Sequence, residues 1–163
     1  MKSDLNNLLI DYFPSPNGDN EKLLKLLNQT SEIICEWFSN SQNLSPLPEN
    51  TIKIISEPNK FGCDIKALLD DINTLIYSSF NPSHPGSLAH LDPPPLTISI
   101  VGDLVAGALN NNLLATELSP SISLIENDIC KWFANKVGFG DSSGGIAASG
   151  GTLNNLNALV CAK

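Results

Sequence analysis

The sequence predicts an α/β architecture of which this stretch supplies mostly helices, followed by the first strand–loop–helix of a larger domain. Three observations point there. Apolar residues recur at helical spacing in four long segments. A proline-rich break at 80–95 interrupts them. Finally, a tract of small residues, Ala147-Ala148-Ser149-Gly150-Gly151-Thr152, runs straight into Leu153-Asn154-Asn155-Leu156-Asn157-Ala158-Leu159-Val160, which reads as a helix. Amide N–H groups at a helix start, beside glycines that let a ligand come close, make a seat for a phosphate or another anion. A simple tight turn before a helix is the other reading. The chain reaches Lys163 about three helical turns later, so a phosphate seat here suggests part of a larger protein.

The elements follow in order. A short apolar stretch ends at Tyr12-Phe13 and breaks at Pro14-Ser15-Pro16-Asn17-Gly18. Residues 19–40 are helical by period, with Leu23, Leu27, Ile34, Trp37 and Phe38 on one stripe and Leu26 and Ile33 beside them. Residues 41–50 hold two prolines and read as an extended linker. Thr51 to Glu57 alternates weakly, as a short extended piece would. A second helix follows Asp64 and buries Leu68, Leu69, Ile72, Leu75 and Ile76. Five prolines and a glycine in the sixteen residues 80–95 force an irregular loop, and long irregular segments tend to be functional.

The helical period returns from Leu96 to Leu114, with Val101, Leu104, Val105, Ala108 and Leu109 in register. The run Asn110-Asn111-Asn112 marks a bend or a solvent face. Ser119-Pro120 is a start signal, a cap residue followed by proline at the first helical position. The helix after it buries Ile122, Ile125, Ile129, Trp132 and Phe133, and Gly138 and Gly140 end it. Trp37, Phe38, Trp132 and Phe133 all read as core. Ile146-Ala147-Ala148 then reads as a short buried strand; either its sheet partner is not in this stretch, or the segment is not a strand.

Composition narrows the function classes. The formal charge of −8 comes from seventeen acidic residues against nine lysines, with no arginine. Nucleic-acid binding needs a basic patch and an anionic membrane surface needs basic residues, so neither is expected. Without arginine this stretch cannot clamp a substrate carboxylate in bidentate fashion. No apolar run reaches the roughly 18–20 residues of a membrane span, and the N-terminus has no small-residue cleavage site. The four cysteines are scattered without a CxxC pair, which fits reduced core residues of a cytoplasmic protein. His84 and His90 have no further ligand near them to complete a metal set.

The segments HPGSLAHLDPPP (84–95), NNNLLATELSP (110–120) and SGGTLNN (149–155) occur in that order and spacing. With them, residues from about 64 onward resemble the N-terminal portion of the group II pyridoxal-phosphate-dependent amino-acid decarboxylases. That family includes aromatic-amino-acid, glutamate, diaminobutyrate and sulfinoalanine decarboxylases. The resemblance implies a type I pyridoxal-phosphate (PLP) enzyme fold, an α/β domain around a mostly parallel sheet, in a cytoplasmic homodimer that acts on an amino-acid substrate. It divides the chain into a dimer-packing helical segment (1–80), a Pro-rich substrate-side loop (81–95) and the start of the PLP-binding large domain (96–163).

Carried over by position, Gly151 and Thr152 match the pair that holds the cofactor phosphate, with Ser149 and Gly150 shaping the turn before them. Asn155 matches an asparagine common in that motif. Leu153 stands where the family often has Glu. His90, Leu91 and Asp92 match the segment that approaches the substrate, with His84 at its start. Read from the residues alone, His84 is a structural loop residue and Asp92 a turn-former, and Glu117 braces the chain before Ser119. The resemblance also implies that the lysine to which the cofactor attaches lies beyond residue 163, as do the Asp that pairs with the pyridine nitrogen and the mobile catalytic loop. No catalytic residue is therefore assigned here, and the chain alone is expected to be inactive. A non-catalytic helical interaction module is the alternative.

Overall fold

The computed structural model describes residues 13–16, 18–45, 47, 63–88 and 91–163. The expected extended piece at 51–57 and the apolar stretch at 1–12 lie outside the described residues. The chain divides into two units, 1–95 and 96–163, each built from helices.

In the first unit, α1 (Glu21–Ser39) and α2 (Ile65–Tyr77) pack against each other. The turn before α1 is closed by Asn20, whose Oδ1 accepts the Ser15 N–H at 2.7 Å and whose Nδ2 donates to the Ser15 carbonyl at 3.2 Å. Gly18 fits inside that clamp because a Cβ there would come 2.7 Å from Ser15 Oγ. On α1 the expected stripe is half-buried at Leu26, Leu27, Ile33, Ile34, Trp37 and Phe38, whereas Leu23 is exposed. The Trp37 and Phe38 rings stack tilted, 5.0 Å apart. The expected linker begins as a short 3₁₀ turn, Ser41–Asn43, with Ser41 buried.

Asp64 starts α2 by accepting the Ala67 N–H on Oδ1 at 2.8 Å, a side-chain cap for an otherwise unpartnered amide. Leu69, Ile72 and Ile76 are half-buried, but Leu68 and Leu75 are exposed. The buried face is therefore narrower than the five positions expected, because a single neighbouring helix covers only one strip of α2. On the solvent side Lys66 Nζ pairs with Asp70 one turn on, at 2.9 Å.

In the second unit, α3 (Thr97–Leu109) ends five residues earlier than its apolar period suggests. Asn110 adopts the left-handed conformation, φ 45°, and donates its N–H to the Ala106 carbonyl, one of the few non-glycine residues that tolerate this stop. Residues 110–120 then fold through a 3₁₀ turn, Thr116–Leu118, into α4 (Pro120–Lys136). Proline occupies the first helical position as expected, but Ser119 does not cap with its side chain. Its backbone, φ −152° and ψ 57°, is off the extended geometry of a cap. Its carbonyl instead accepts the Ser123 N–H and Oγ–H, and its buried Oγ has no partner among the described residues.

Gly138 terminates α4 with φ 92°. Its N–H donates to the Asn135 carbonyl and the Phe139 N–H to the Ala134 carbonyl, the paired bonds of a Schellman motif. The burial expected on α4 holds only in part: Ile122 is half-buried, but Ile125, Ile129, Trp132 and Phe133 are exposed. On α3 the in-register residues Val101, Leu104, Val105, Ala108 and Leu109 are exposed too. Ala134 is the one buried apolar residue of the described chain. The physical reason is plain: neither α3 nor α4 packs against another long helix among the described residues. Trp132 meets Phe133 edge-on at 4.8 Å, and the Lys136 ammonium sits 5.7 Å from the Trp132 ring centre.

The strand expected at Ile146–Ala148 is not formed. Among the described residues there is no strand, and residues 143–148 run without regular structure into α5 (Gly151–Cys161). A strand exists only with a partner to pair with, and the described residues offer none. No helix among the described residues is long and apolar enough to cross a membrane.

Candidate functional site

The start of α5 is built from residues that leave backbone open. Gly150 precedes the helix without a side-chain cap, and the Asn154 N–H is the first to close a turn, on the Gly150 carbonyl at 3.0 Å. The N–H groups of Gly151, Thr152 and Leu153 donate to no other group among the described residues. Side chains at Gly150 and Gly151 would meet nothing within 4 Å, so the approach to those amides is unobstructed. Ser149, Gly150, Gly151 and Thr152 are all exposed. Three unpaired donors, the positive end of the helix dipole and the Thr152 hydroxyl form a donor set that fits a phosphate ester. The glutamate missing at Leu153 matters little to this set, because all three amides belong to the main chain.

The segment leading into this seat is tethered to α4. Glu126 Oε1 accepts the Ala147 N–H at 3.0 Å, across 21 residues of sequence. One turn along α4, Cys130 lies against Gly145, where a Cβ would stand 3.1 Å from the Cys130 Cβ. Neither contact follows from the sequence. Glu126 sits in an ordinary helical stretch, and nothing in its spacing signals a partner so far along the chain.

The residues expected on the substrate side belong to the first unit. Asn81, almost wholly buried, organises the turn: its Oδ1 accepts the Ser83 N–H, and its carbonyl accepts the His84 N–H and the Ser87 hydroxyl. The Asn81 Nδ2 has no hydrogen-bond partner among the described residues. His84 is half-buried, and its Nδ1 accepts the Gly86 N–H at 2.8 Å. A side chain at Gly86 would crowd the His84 ring at 3.0 Å, so the ring would have to shift to admit one. Leu91 is almost fully exposed and Asp92 is exposed, while His90 lies outside the described residues. Asn81 was not singled out from the sequence, although its Asn-Pro-Ser setting is a turn signal.

A cavity of about 450 Å³ opens beside α1 and α2, lined by Phe13, Asn20, Lys22, Cys63 and Asp64 among others. None of the described candidate site residues lines it.

Comparison with known proteins places this geometry in a family. The pyridoxal-dependent decarboxylase conserved domain matches residues 48–163, a span that includes the whole start of α5. The chain is similar to an L-2,4-diaminobutyrate decarboxylase of Acinetobacter baumannii, 28% identical over 140 residues, covering 84% of this chain and 28% of that protein. An aromatic-L-amino-acid decarboxylase of Bacillus atrophaeus is 31% identical over 103 residues, covering 63% of this chain and 22% of its own. A cysteine sulfinic acid decarboxylase of Mus musculus is 25% identical over 134 residues, covering 82% and 25%. The chain thus spans about a quarter of the length of these relatives.

Proposed function

This chain belongs to the pyridoxal-dependent decarboxylase family, and on that premise we propose that it is the N-terminal part of a PLP-dependent amino-acid decarboxylase. The family's cofactor is pyridoxal phosphate and its fold is type I. The observation that carries the reading is the open donor set at the start of α5, inside the matched span. The amides of Gly151 and Thr152, with the Thr152 hydroxyl, hold the cofactor phosphate, and Ser149 and Gly150 keep its approach clear. When bound, pyridoxal phosphate supplies an electron sink for the bond broken at the substrate's α-carbon.

The turn 81–88 and the stretch through His90, Leu91 and Asp92 form the substrate side. The exposed apolar residues of α3 and α4 fit a chain that is covered by further protein, in a homodimer. The substrate is an L-amino acid. Its carboxylate is held by groups outside these 163 residues, which contain no arginine.

The test uses the protein expressed from its complete reading frame. Carbon dioxide released from an L-amino acid in the presence of added PLP supports the proposal. A preparation that never shows the absorbance of bound cofactor overturns it. At the seat, Thr152→Val should weaken PLP binding about fivefold through the lost hydroxyl. Gly151→Asp, which sets a negative charge beside the ester, should weaken it by about tenfold or more. A stable dimer that retains no PLP would favour the non-catalytic interaction module.

A further inference from the structure

We infer that Glu126 is a positioning residue for the phosphate seat, acting through the strap of residues 143–148. The inference rests on the proposed seat at Gly151 and Thr152. Helix α5 packs against none of the other helices among the described residues, so its start is placed by the segment that leads into it. That segment has no strand partner and is held instead at two points on neighbouring turns of α4. Glu126 takes the Ala147 amide, and Cys130, four residues on and therefore on the same helix face, takes the close approach of Gly145. From Ala147 only four residues remain to Gly151, a reach of about 14 Å at full extension. Fixing Ala147 on α4 thus confines the three open amides to a short radius around the Glu126 carboxylate.

The charge of Glu126 has the wrong sign to attract a phosphate, so any benefit to the seat must pass through the Ala147 hydrogen bond. This separates the proposal from a direct electrostatic role. If Glu126 acted on the ligand by charge, Glu126→Gln would tighten anion binding. If it acts by position, Gln keeps an acceptor oxygen and binds nearly as the parent does, while Ala does not.

Pyridoxal phosphate is titrated into the protein from its complete reading frame, with inorganic phosphate as a second probe, and hydrogen exchange is followed at the Ala147 amide. Glu126→Ala is expected to speed exchange at Ala147 and raise the Kd for both probes about five- to tenfold. Glu126→Gln should stay within about twofold of the parent. Gly145→Ala pushes the strap off Cys130 with Glu126 intact and should weaken both probes in the same direction, so the proposal stays testable if Glu126→Ala does not fold. Parental affinity in Glu126→Ala, or tighter binding in Glu126→Gln, overturns the role of Glu126. If Thr152→Val weakens PLP while Glu126→Ala does not, the seat stands and only this inference falls. If neither variant weakens it, the seat itself is wrong.

Discussion

The stripe on α1 and the stripe on α3 have equally regular helical spacing, yet they meet opposite fates. Leu26, Leu27, Ile33 and Ile34 lose much of their solvent because α2 lies against them. Val101 and Leu104 remain 48% and 50% exposed, with no helix across from them among the described residues. Apolar periodicity specifies that a face is to be covered. It does not specify by what. In the first unit the cover is the neighbouring helix of the same chain; in the second, the described residues do not supply it. Exposed apolar faces of this kind are the ones that further protein can cover.

Substitutions in the covered α1–α2 contact and on the uncovered α3 face should therefore separate. The largest effect is expected at Ile72→Ala on α2, which should cost the first unit roughly 1–2 kcal/mol, about half the penalty of a fully buried site. The midpoint of urea unfolding measures it. Leu104→Ala on α3 should leave that midpoint unchanged and instead weaken self-association in sedimentation equilibrium. A Leu104 variant that lost folding stability as Ile72 does would erase the contrast.

Next come the local stops and starts. Asp64→Ala removes the cap of α2 and should cost about 1 kcal/mol. Gly138→Ala should cost on the order of 1 kcal/mol, because its φ of 92° disfavours any side chain. The smallest effect belongs to the exposed Lys66–Asp70 pair. The hydrogen bond from Lys66 to Asp70, with the attraction between their charges, raises the lysine above its ordinary 10.5. A folded value above the unfolded one means that its contribution is complete below 10.5 and is lost as pH rises past the folded value. Full exposure and salt screening keep this contribution small, so Asp70→Asn should leave thermal unfolding at neutral pH unchanged within error.

What was legible in the sequence was what adjacent residues decide. The starts of α2 and α4 at Asp64 and Pro120 and the end of α4 at Gly138 follow from side chains or φ angles within a turn of the boundary. Asn110 shows the limit. The apolar period continued past it to Leu114, but a left-handed backbone ended α3 first. Burial on α3 and α4, and the strand at 146–148, depend on surfaces that local spacing cannot name. Ser119 failed as a side-chain cap because the preceding 3₁₀ turn sets its backbone off the required geometry. The open helix start at the glycine-threonine tract was readable because it is a local property. The Glu126 tether was not, since it joins positions 21 residues apart.

The hydrogen bond from the Gly86 amide to His84 has a consequence for recognition. A ring nitrogen that receives a proton donor must offer its lone pair, so in the uncharged imidazole Nδ1 is bare and the hydrogen resides on Nε2. The far edge of the ring then meets its surroundings as a giver of a hydrogen bond. An acceptor oxygen suits that edge, and an ammonium does not. One backbone N–H in a proline-glycine turn thus fixes the hydrogen-bonding sense of the opposite side of the ring.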